Sequence, residues 1–358
     1  MALTPLAEKL RLRIAAEGPL TLADYMQSCL LDPAHGYYAT RDPFGKGGDF
    51  ITAPEISQMF GEMIGLAMAQ SWQDQGAPAP FTLAEAGPGR GTLMSDILRA
   101  TRGVPGFHQA MRVVMIEASP ALRTIQGETL SAFTPAWTDR FEDLPKRPLW
   151  FVANEFFDAL PIRQFRRAGG GWAEVMVTAT EDGLGLALAA PVPVTALDHR
   201  LTDTRDGDTV EICPAAIPIA KVVGSRIAAH GGAAIIADYG GWHSLGDTFQ
   251  ALMAHEPVHP LAEPGHADLT AHVDFEPIAL AAAPAVASGL IPQGVFLERL
   301  GITTRAQALA ARLSGAALDA HVAAHRRLTH PEEMGTLFKI LALTPHGAPP
   351  VPGTTDAG

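Results

Sequence analysis

The sequence predicts an α/β fold built on a mostly parallel sheet, and two observations carry that reading. Apolar, β-rich runs recur at 81–86 (FTLAEA), 112–118 (RVVMIEA), 148–155 (PLWFVANE), 162–167 (IRQFRR) and 233–240 (AAIIADYG), with helical stretches between several of them. Strands that lack polar alternation are buried on both faces, as in a parallel sheet covered by helices. With 47% hydrophobic and 18% charged residues over a length of 358, the chain can bury a full core in one large or two modest domains.

In chain order, residues 3–16 read as a helix stopped by Gly18-Pro19, and TLADYMQSCLL (21–31) as a second, opened by Thr21 with Asp24 three residues on. DPAHGYYATRDPFGKGGDFIT follows as a loop, freed by glycines at 36, 45, 47 and 48 and suited to act as a lid, with Asp49 and Thr52 near a ligand. Thr52-Ala-Pro-Glu55 reads as a capping box that opens one helix carrying Ile56, Phe60, Met63, Ile64, Ala67 and Met68 at helical spacing. GAPAP (76–80) closes this N-terminal helical region, residues 1–80. The α/β domain then spans 81–345, with insertions at about 169–207 and 241–335. The first insertion contains a hairpin over 169–191 that turns at Glu-Asp-Gly, and the second ends in an alanine-rich helix around 304–327. MGTLFKILALTP returns as a late strand, and 346–358 reads as a disordered tail with nothing to bury.

A net charge of −12 excludes a broad electrostatic footprint for nucleic acid, so no nucleic-acid partner is expected. Cys29 and Cys213 match neither a zinc spacing nor a disulfide framework and read as buried small hydrophobes in a reducing compartment. The N-terminal helix lacks a secretory apolar core and carries Glu8 and Glu17, which argues against an export signal or a presequence. No run approaches the ~18 apolar residues of a membrane span. A cytoplasmic protein is expected.

The chemistry concentrates at EAGPGRGT (85–92), where glycines 87, 89 and 91 alternate between a strand and a helix. Such a turn lets a ligand approach the backbone, and the helix starting near Thr92 offers free N–H groups and a positive dipole end. A dinucleotide fingerprint would place its third glycine one residue later. Pro88 removes an N–H from the turn, and Glu85 sets negative charge where phosphates would lie. GKGG at 45–48 also lacks Walker spacing. These features disfavour NAD and ATP and suit S-adenosylmethionine, which offers an ammonium and a sulfonium to Glu85 and a carboxylate to backbone amides. The acid-x-G-x-G-x-G pattern resembles motif I of class I methyltransferases, and Glu117 is placed like the acid that chelates the ribose hydroxyls there.

ANEFFDALPIRQF (153–165) puts Asn154 and Glu155 at the carboxyl edge of the sheet, and a polar pair ending an apolar strand is costly unless it binds something. Asp158 could share that pocket, and Asp238 ends the 233–240 strand in the same manner. His266, Asp268, His272 and Asp274 are metal-ligating types without a metal spacing, so no metal is expected. His321 and His325 share a helical face without the glutamate of a zinc protease and read as solvated. No G-x-S-x-G is present, which disfavours serine hydrolysis.

Seven blocks, GGDFITAPEISQMFGE, EAGPGRGTLMSDILR, MIEASPALR, NEFFDALPIRQF, ADYG, PGHADLTAHVDF and MGTLFKILAL, resemble the MidA family of methyltransferases across roughly residues 4–343. The resemblance implies a class I methyltransferase (Rossmann-like) fold with an N-terminal helical region and inserted segments. It implies an S-adenosyl-L-methionine site at Gly87, Gly89, Gly91 and Glu117, with Asn154 and Glu155 nearby. It also implies a protein substrate: in mitochondrial members of the family, an arginine of the 49-kDa-type subunit of NADH:quinone oxidoreductase (complex I). On that reading Glu155, with Asp158 or Asp238, holds and polarises the arginine. A eukaryotic member would work in the mitochondrial matrix. His259 stands where the family pattern would place an aspartate. Two alternatives share the cofactor: an assembly chaperone without essential catalysis, and a small-molecule methyltransferase.

Overall fold

Six strands run through the centre of a nine-stranded sheet: β1 (Phe81–Ala86), β2 (Met111–Ile116), β3 (Ala136–Thr138), β4 (Leu149–Asn154), β5 (Gly232–Gly241) and β6 (Phe338–Thr344). They appear in this computed structural model, which describes residues 3–40 and 51–355. The spatial order is β3–β2–β1–β4–β5–β6, parallel throughout except for β6, which runs antiparallel to β5. β1 and β4 are buried along their whole length, as their unbroken apolar pattern requires. The order reverses between β1 and β4, and the carboxyl ends of strands at such a switch are where open α/β sheets bind ligands. Register aligns Ala86 with Ala153 and with Ile116, and Asn154 with Ala237. Gly87, Glu117, Asn154 and Asp238 therefore fall along one sheet edge.

The chain divides into two units, and this sheet belongs to the one formed by Ile51–Phe157, Ile217–Trp242 and Phe275–Gly358. The division does not fall at the expected residue 80, because α1 (Ala53–Ile56) and α2 (Gln58–Asp74) pack into the sheet's core. The single helix expected after Thr52 is broken at Ser57, which is extended (φ −161°, ψ 136°) and whose side chain accepts from Met59 N–H. Thr52 occupies the N-cap of α1 without a side-chain capping bond, so the expected capping box is not formed.

α2 lies unusually close to α3 (Thr92–Ala100), the helix behind the glycine turn. A Cβ on Gly61 would come within 2.5 Å of Asp96 Cβ, and one on Gly65 within 2.9 Å of Ile97 Cα. Glu62, buried between them, accepts from Arg99 at 2.7 Å and from Arg305 at 2.7 and 2.9 Å. Arg305 comes from Ile302–Ala310, the first of two helices where one alanine-rich helix was expected; the second is Gly315–Thr329. His321 and His325 on the latter bond to Ala306 O and Thr303 Oγ1, so they join the two helices and are not merely solvated. The segment after β6 also departs from expectation, because Val351 is 1% exposed within the core and Gly353 packs on Phe296.

Met1–Phe50, Asp158–Ala216 and His243–Asp274 form the other unit. The helices Pro5–Glu17 and Leu22–Leu31 are capped by the Thr4 and Thr21 hydroxyls. The IRQFRR run forms Arg163–Ala168, which lies in an antiparallel sheet here and not in the parallel one. It is placed there by pairing with 171–174 and 209–212, with Arg166 exposed and Gln164 and Phe165 buried. The hairpin Gly171–Ala179 with Leu184–Leu188 turns at the expected Glu-Asp-Gly. Both cysteines are free, and burial raises their thiols to about 12 (Cys29) and about 11 (Cys213), which makes them poor nucleophiles. Among the described residues no helix is long and apolar enough to cross a membrane.

Candidate functional site

Gly87, Gly89 and Gly91 all lie in the left-handed region, at φ 59°, 51° and 82°. A side chain is excluded at Gly87 twice over, by its φ and by Phe156, whose ring carbon would stand 2.8 Å from a Cβ. Gly87 N–H bonds to Ile116 O and Gly91 N–H to Pro88 O, which sets the turn against β2. Gly91 is also the N-cap of α3 and provides no side-chain cap, so the helix start is left to other groups.

Glu85, the penultimate residue of β1, is 3% exposed, and its Oε2 has no hydrogen-bond partner among the described residues. Burial pushes its carboxyl well above the ordinary 4.5, opposed in part by a backbone hydrogen bond from Met94 in α3. A carboxyl raised in the fold supports the fold fully below 4.5, and that support is lost as pH rises through the raised value. As pH rises above about 4.5 the ligand-free wild type is therefore expected to lose melting temperature progressively relative to Glu85→Gln. A difference that does not change with pH in scanning fluorimetry would contradict this.

Glu117 follows β2. Its Oε1 accepts from Ser119 N–H at 2.7 Å and its Oε2 from Gln126 Nε2 at 3.1 Å. Burial raises this carboxyl, and those bonds work against the rise. Gln126 was not identified from the sequence. It is fully buried on α4 (Pro120–Thr129), its Nε2 also donates to Gly89 O at 2.8 Å, and its Oε1 accepts from Trp137 Nε1 at 2.8 Å. One amide thus ties the glycine turn to the acid. The only sequence signal was a glutamine one turn past Leu122, on the buried face of that helix.

At the end of β4, Asn154 is 8% exposed; its Nδ2 donates to Glu155 Oε1 at 3.1 Å, and its Oδ1 has no partner among the described residues. Glu155 sits at φ 49°, a conformation that a non-glycine residue holds only when its surroundings enforce it. The same Oε1 accepts Ala53 N–H at 2.8 Å. Asp238 is fully buried. Its Oδ2 accepts from Phe156 and Phe157 N–H at 3.2 and 2.9 Å, and its Oδ1 from Tyr239 N–H at 3.0 Å. Those bonds shape the backbone after β4, a different task from the direct contact with a substrate expected of Asp238. Thr92 opens α3, and its hydroxyl donates to Glu55 Oε1 at 2.5 Å.

The remaining sequence candidates are placed as follows. Asp49 lies outside the described residues, and Thr52 is the N-cap of α1. Asp158 belongs to the other unit, where Ala271 N–H bonds to its carbonyl and Tyr38 bonds to Asp268 at 2.9 Å. His259 is in that unit too, its Nδ1 accepting from Leu261 N–H. Among the described residues no group of three or more His, Cys, Asp or Glu is placed to hold a metal.

Residues 63–293 match a family model described as "Putative S-adenosyl-L-methionine-dependent methyltransferase". The human mitochondrial protein arginine methyltransferase NDUFAF7 is 37% identical, over 96% of this chain and 84% of that protein. The chain belongs to the S-adenosyl-L-methionine-dependent methyltransferase family. The Drosophila melanogaster homolog of NDUFAF7 is likewise 37% identical to this methyltransferase, over 95% of the chain and 85% of that protein. A crystal structure from Burkholderia thailandensis, bound to S-adenosyl-homocysteine, matches with a TM-score of 0.83 at 29% identity, covering 99% of this chain and 95% of that one. The class I fold, the enzyme class and the cofactor expected from the sequence all agree with these relatives.

The methyltransferase's own residues fit that cofactor. A buried carboxylate oxygen without a partner at Glu85 suits a cationic group, a fixed carboxylate at Glu117 suits a pair of hydroxyls, and the left-handed glycine turn keeps side chains away from both. The glycine turn and the two acids singled out in the sequence lie together in the structure, the turn and Glu117 tied by Gln126, which the sequence did not single out.

Proposed function

We propose that this methyltransferase methylates a guanidinium nitrogen of an arginine in a protein substrate, and that the acceptor is the 49-kDa-type subunit of NADH:quinone oxidoreductase. The observation that carries the reading is the buried Oδ1 of Asn154, an acceptor without a partner at the carboxyl end of β4. Its amide nitrogen is committed to Glu155, so the side chain can only accept at that point, and it calls for an N–H donor. Relatives named as protein arginine methyltransferases support the acceptor class. The subunit itself rests on the family resemblance, and the compartment we propose is the one where that subunit is assembled, bacterial cytoplasm or mitochondrial matrix.

S-adenosylmethionine, when bound, supplies an electrophilic methyl group on a cationic sulfur. We assign Glu85, Gly87, Pro88, Gly89, Gly91, Thr92 and Glu117 to holding it, and Asn154 and Glu155 to the acceptor. Arginine is a poor nucleophile while its charge is spread over three nitrogens. Asn154 Oδ1 takes one N–H and fixes the guanidinium plane, and the Glu155 carboxylate beside it draws the charge towards the nitrogens it faces. Methylation releases one proton, for which Glu155 is the adjacent base. Asp238 acts indirectly, by holding Phe156 and Phe157 N–H and so the path of the chain after Glu155. Most of the acceleration is then positioning.

The test is methyl transfer from labelled cofactor to the purified subunit, with the site read by mass spectrometry. Label on an arginine is the expected result. Label only on small molecules, or none, would overturn the acceptor assignment.

A further inference from the structure

We propose that Glu55 is a positioning residue that couples the first turn of α3, where the cofactor turn ends, to the Asn154–Glu155 end of β4. The family model spans residues 63–293, and the cofactor assignment above does not include this residue. It lies on α1, a four-residue helix held at two points. At one, Glu55 Oε1 accepts the Thr92 hydroxyl at 2.5 Å. At the other, Ala53 N–H donates to Glu155 Oε1 at 2.8 Å. One short, rigid element therefore bridges the helix behind the glycine turn and the carboxylate that orients Asn154.

The way α3 is held supports this role. Its two hydrogen bonds to the 55–62 segment, at Thr92 and Arg99, and its close packing at Asp96 are spaced i, i+4, i+7 and share one helical face. Asp96 packs on Gly61 and Arg99 pairs with Glu62, both towards the middle and end of the helix. In the first turn the Thr92 hydroxyl bonds to Glu55 and the Met94 N–H to Glu85, and Gly91 offers no side-chain cap there. The half-buried Glu55 carboxylate, accepting the Thr92 hydroxyl from a neighbouring helix, adds negative charge at the positive end of α3. Glu155 meanwhile holds a left-handed backbone, and the Ala53 N–H is one of the groups that keep its side chain in place. A shift of Glu55 thus displaces both ends together.

The cofactor half of the proposal stands without any acceptor, whereas the coupling half rests on the assignment of Asn154 and Glu155 above. Calorimetry with S-adenosylhomocysteine reads the first half alone, so its failure and that of the acceptor assignment are separable. Glu55→Ala and Thr92→Val are each expected to weaken binding about tenfold. Glu55→Gln and Thr92→Ser, which keep an acceptor and a hydroxyl, are expected to restore most of it. The double variant Glu55→Ala/Thr92→Val is expected to bind no more weakly than either single one. In hydrogen exchange, S-adenosylhomocysteine is expected to protect the amides of residues 53–56 in the wild type and to lose that effect in Thr92→Val. Unchanged binding in Thr92→Val, multiplying effects in the double variant, or cofactor-dependent protection of 53–56 that survives Thr92→Val would each overturn the proposal. The hydrogen-exchange readout at 53–56 in Thr92→Val decides the matter if Glu55→Ala does not fold.

Discussion

Glu117→Ala is expected to weaken S-adenosylhomocysteine binding about 100-fold while the protein still folds. The reasons lie in what holds the side chain. Its carboxylate is fixed from one side by Ser119 N–H and from the other by Gln126 Nε2, so its geometry exists before a ligand arrives. Removing it takes away a charged acceptor for ligand hydroxyls. The fold loses little, because Gln126 keeps its bonds to Gly89 O and Trp137 and Glu117 itself is only half-buried. Glu117→Gln keeps one acceptor oxygen but turns a donor towards Gln126 or the ligand, and is expected to fall between the two. Calorimetry of the three proteins decides it, and an alanine variant that binds like the wild type would remove Glu117 from the site.

The second large effect is expected at Asn154. Asn154→Ala is expected to bind S-adenosylhomocysteine nearly as the wild type does and to lose methyl transfer about 100-fold. Its Oδ1 makes no bond within the described residues, so no internal contact is broken at that atom, and what is lost is the acceptor for the incoming N–H. Asn154→Asp is the sharper variant. It keeps the outward oxygen but replaces the Nδ2 donor with a second oxygen facing Glu155 Oε1, which sets two carboxylates against each other. Loss of transfer in both variants with cofactor binding intact supports the assignment. Full transfer by Asn154→Ala, measured at saturating cofactor, would sink it.

The parts of this architecture legible in the sequence were those written in local pattern. Unbroken apolar runs gave β1, β2 and β4, alternating glycines behind a strand gave the left-handed turn at 87–91, and Thr21 with Asp24 gave a helix start. What was not legible depends on partners far away in the chain. IRQFRR has the composition of a strand, but which sheet it joins is set by its pairing with 171–174 and 209–212. Glu155 accepts from Ala53 across about a hundred residues of chain, and Glu55 reaches Thr92 and Gln126 reaches Gly89 across gaps that no helical or strand period spans. Asp238 looked like Glu155 in sequence, an acid near a strand end, yet it is taken up by three backbone N–H groups. Val351 carries no periodic neighbours to mark it, and its burial follows from the core surface it meets.

The measurement that bears most directly on the whole account is methyl transfer from isotope-labelled S-adenosylmethionine to the purified 49-kDa-type subunit, comparing wild type with Asn154→Ala and mapping the product by tandem mass spectrometry. The account predicts label on an arginine side chain with wild type and a loss of about 100-fold with the variant. Label on another residue type, or equal label with both proteins, would contradict it.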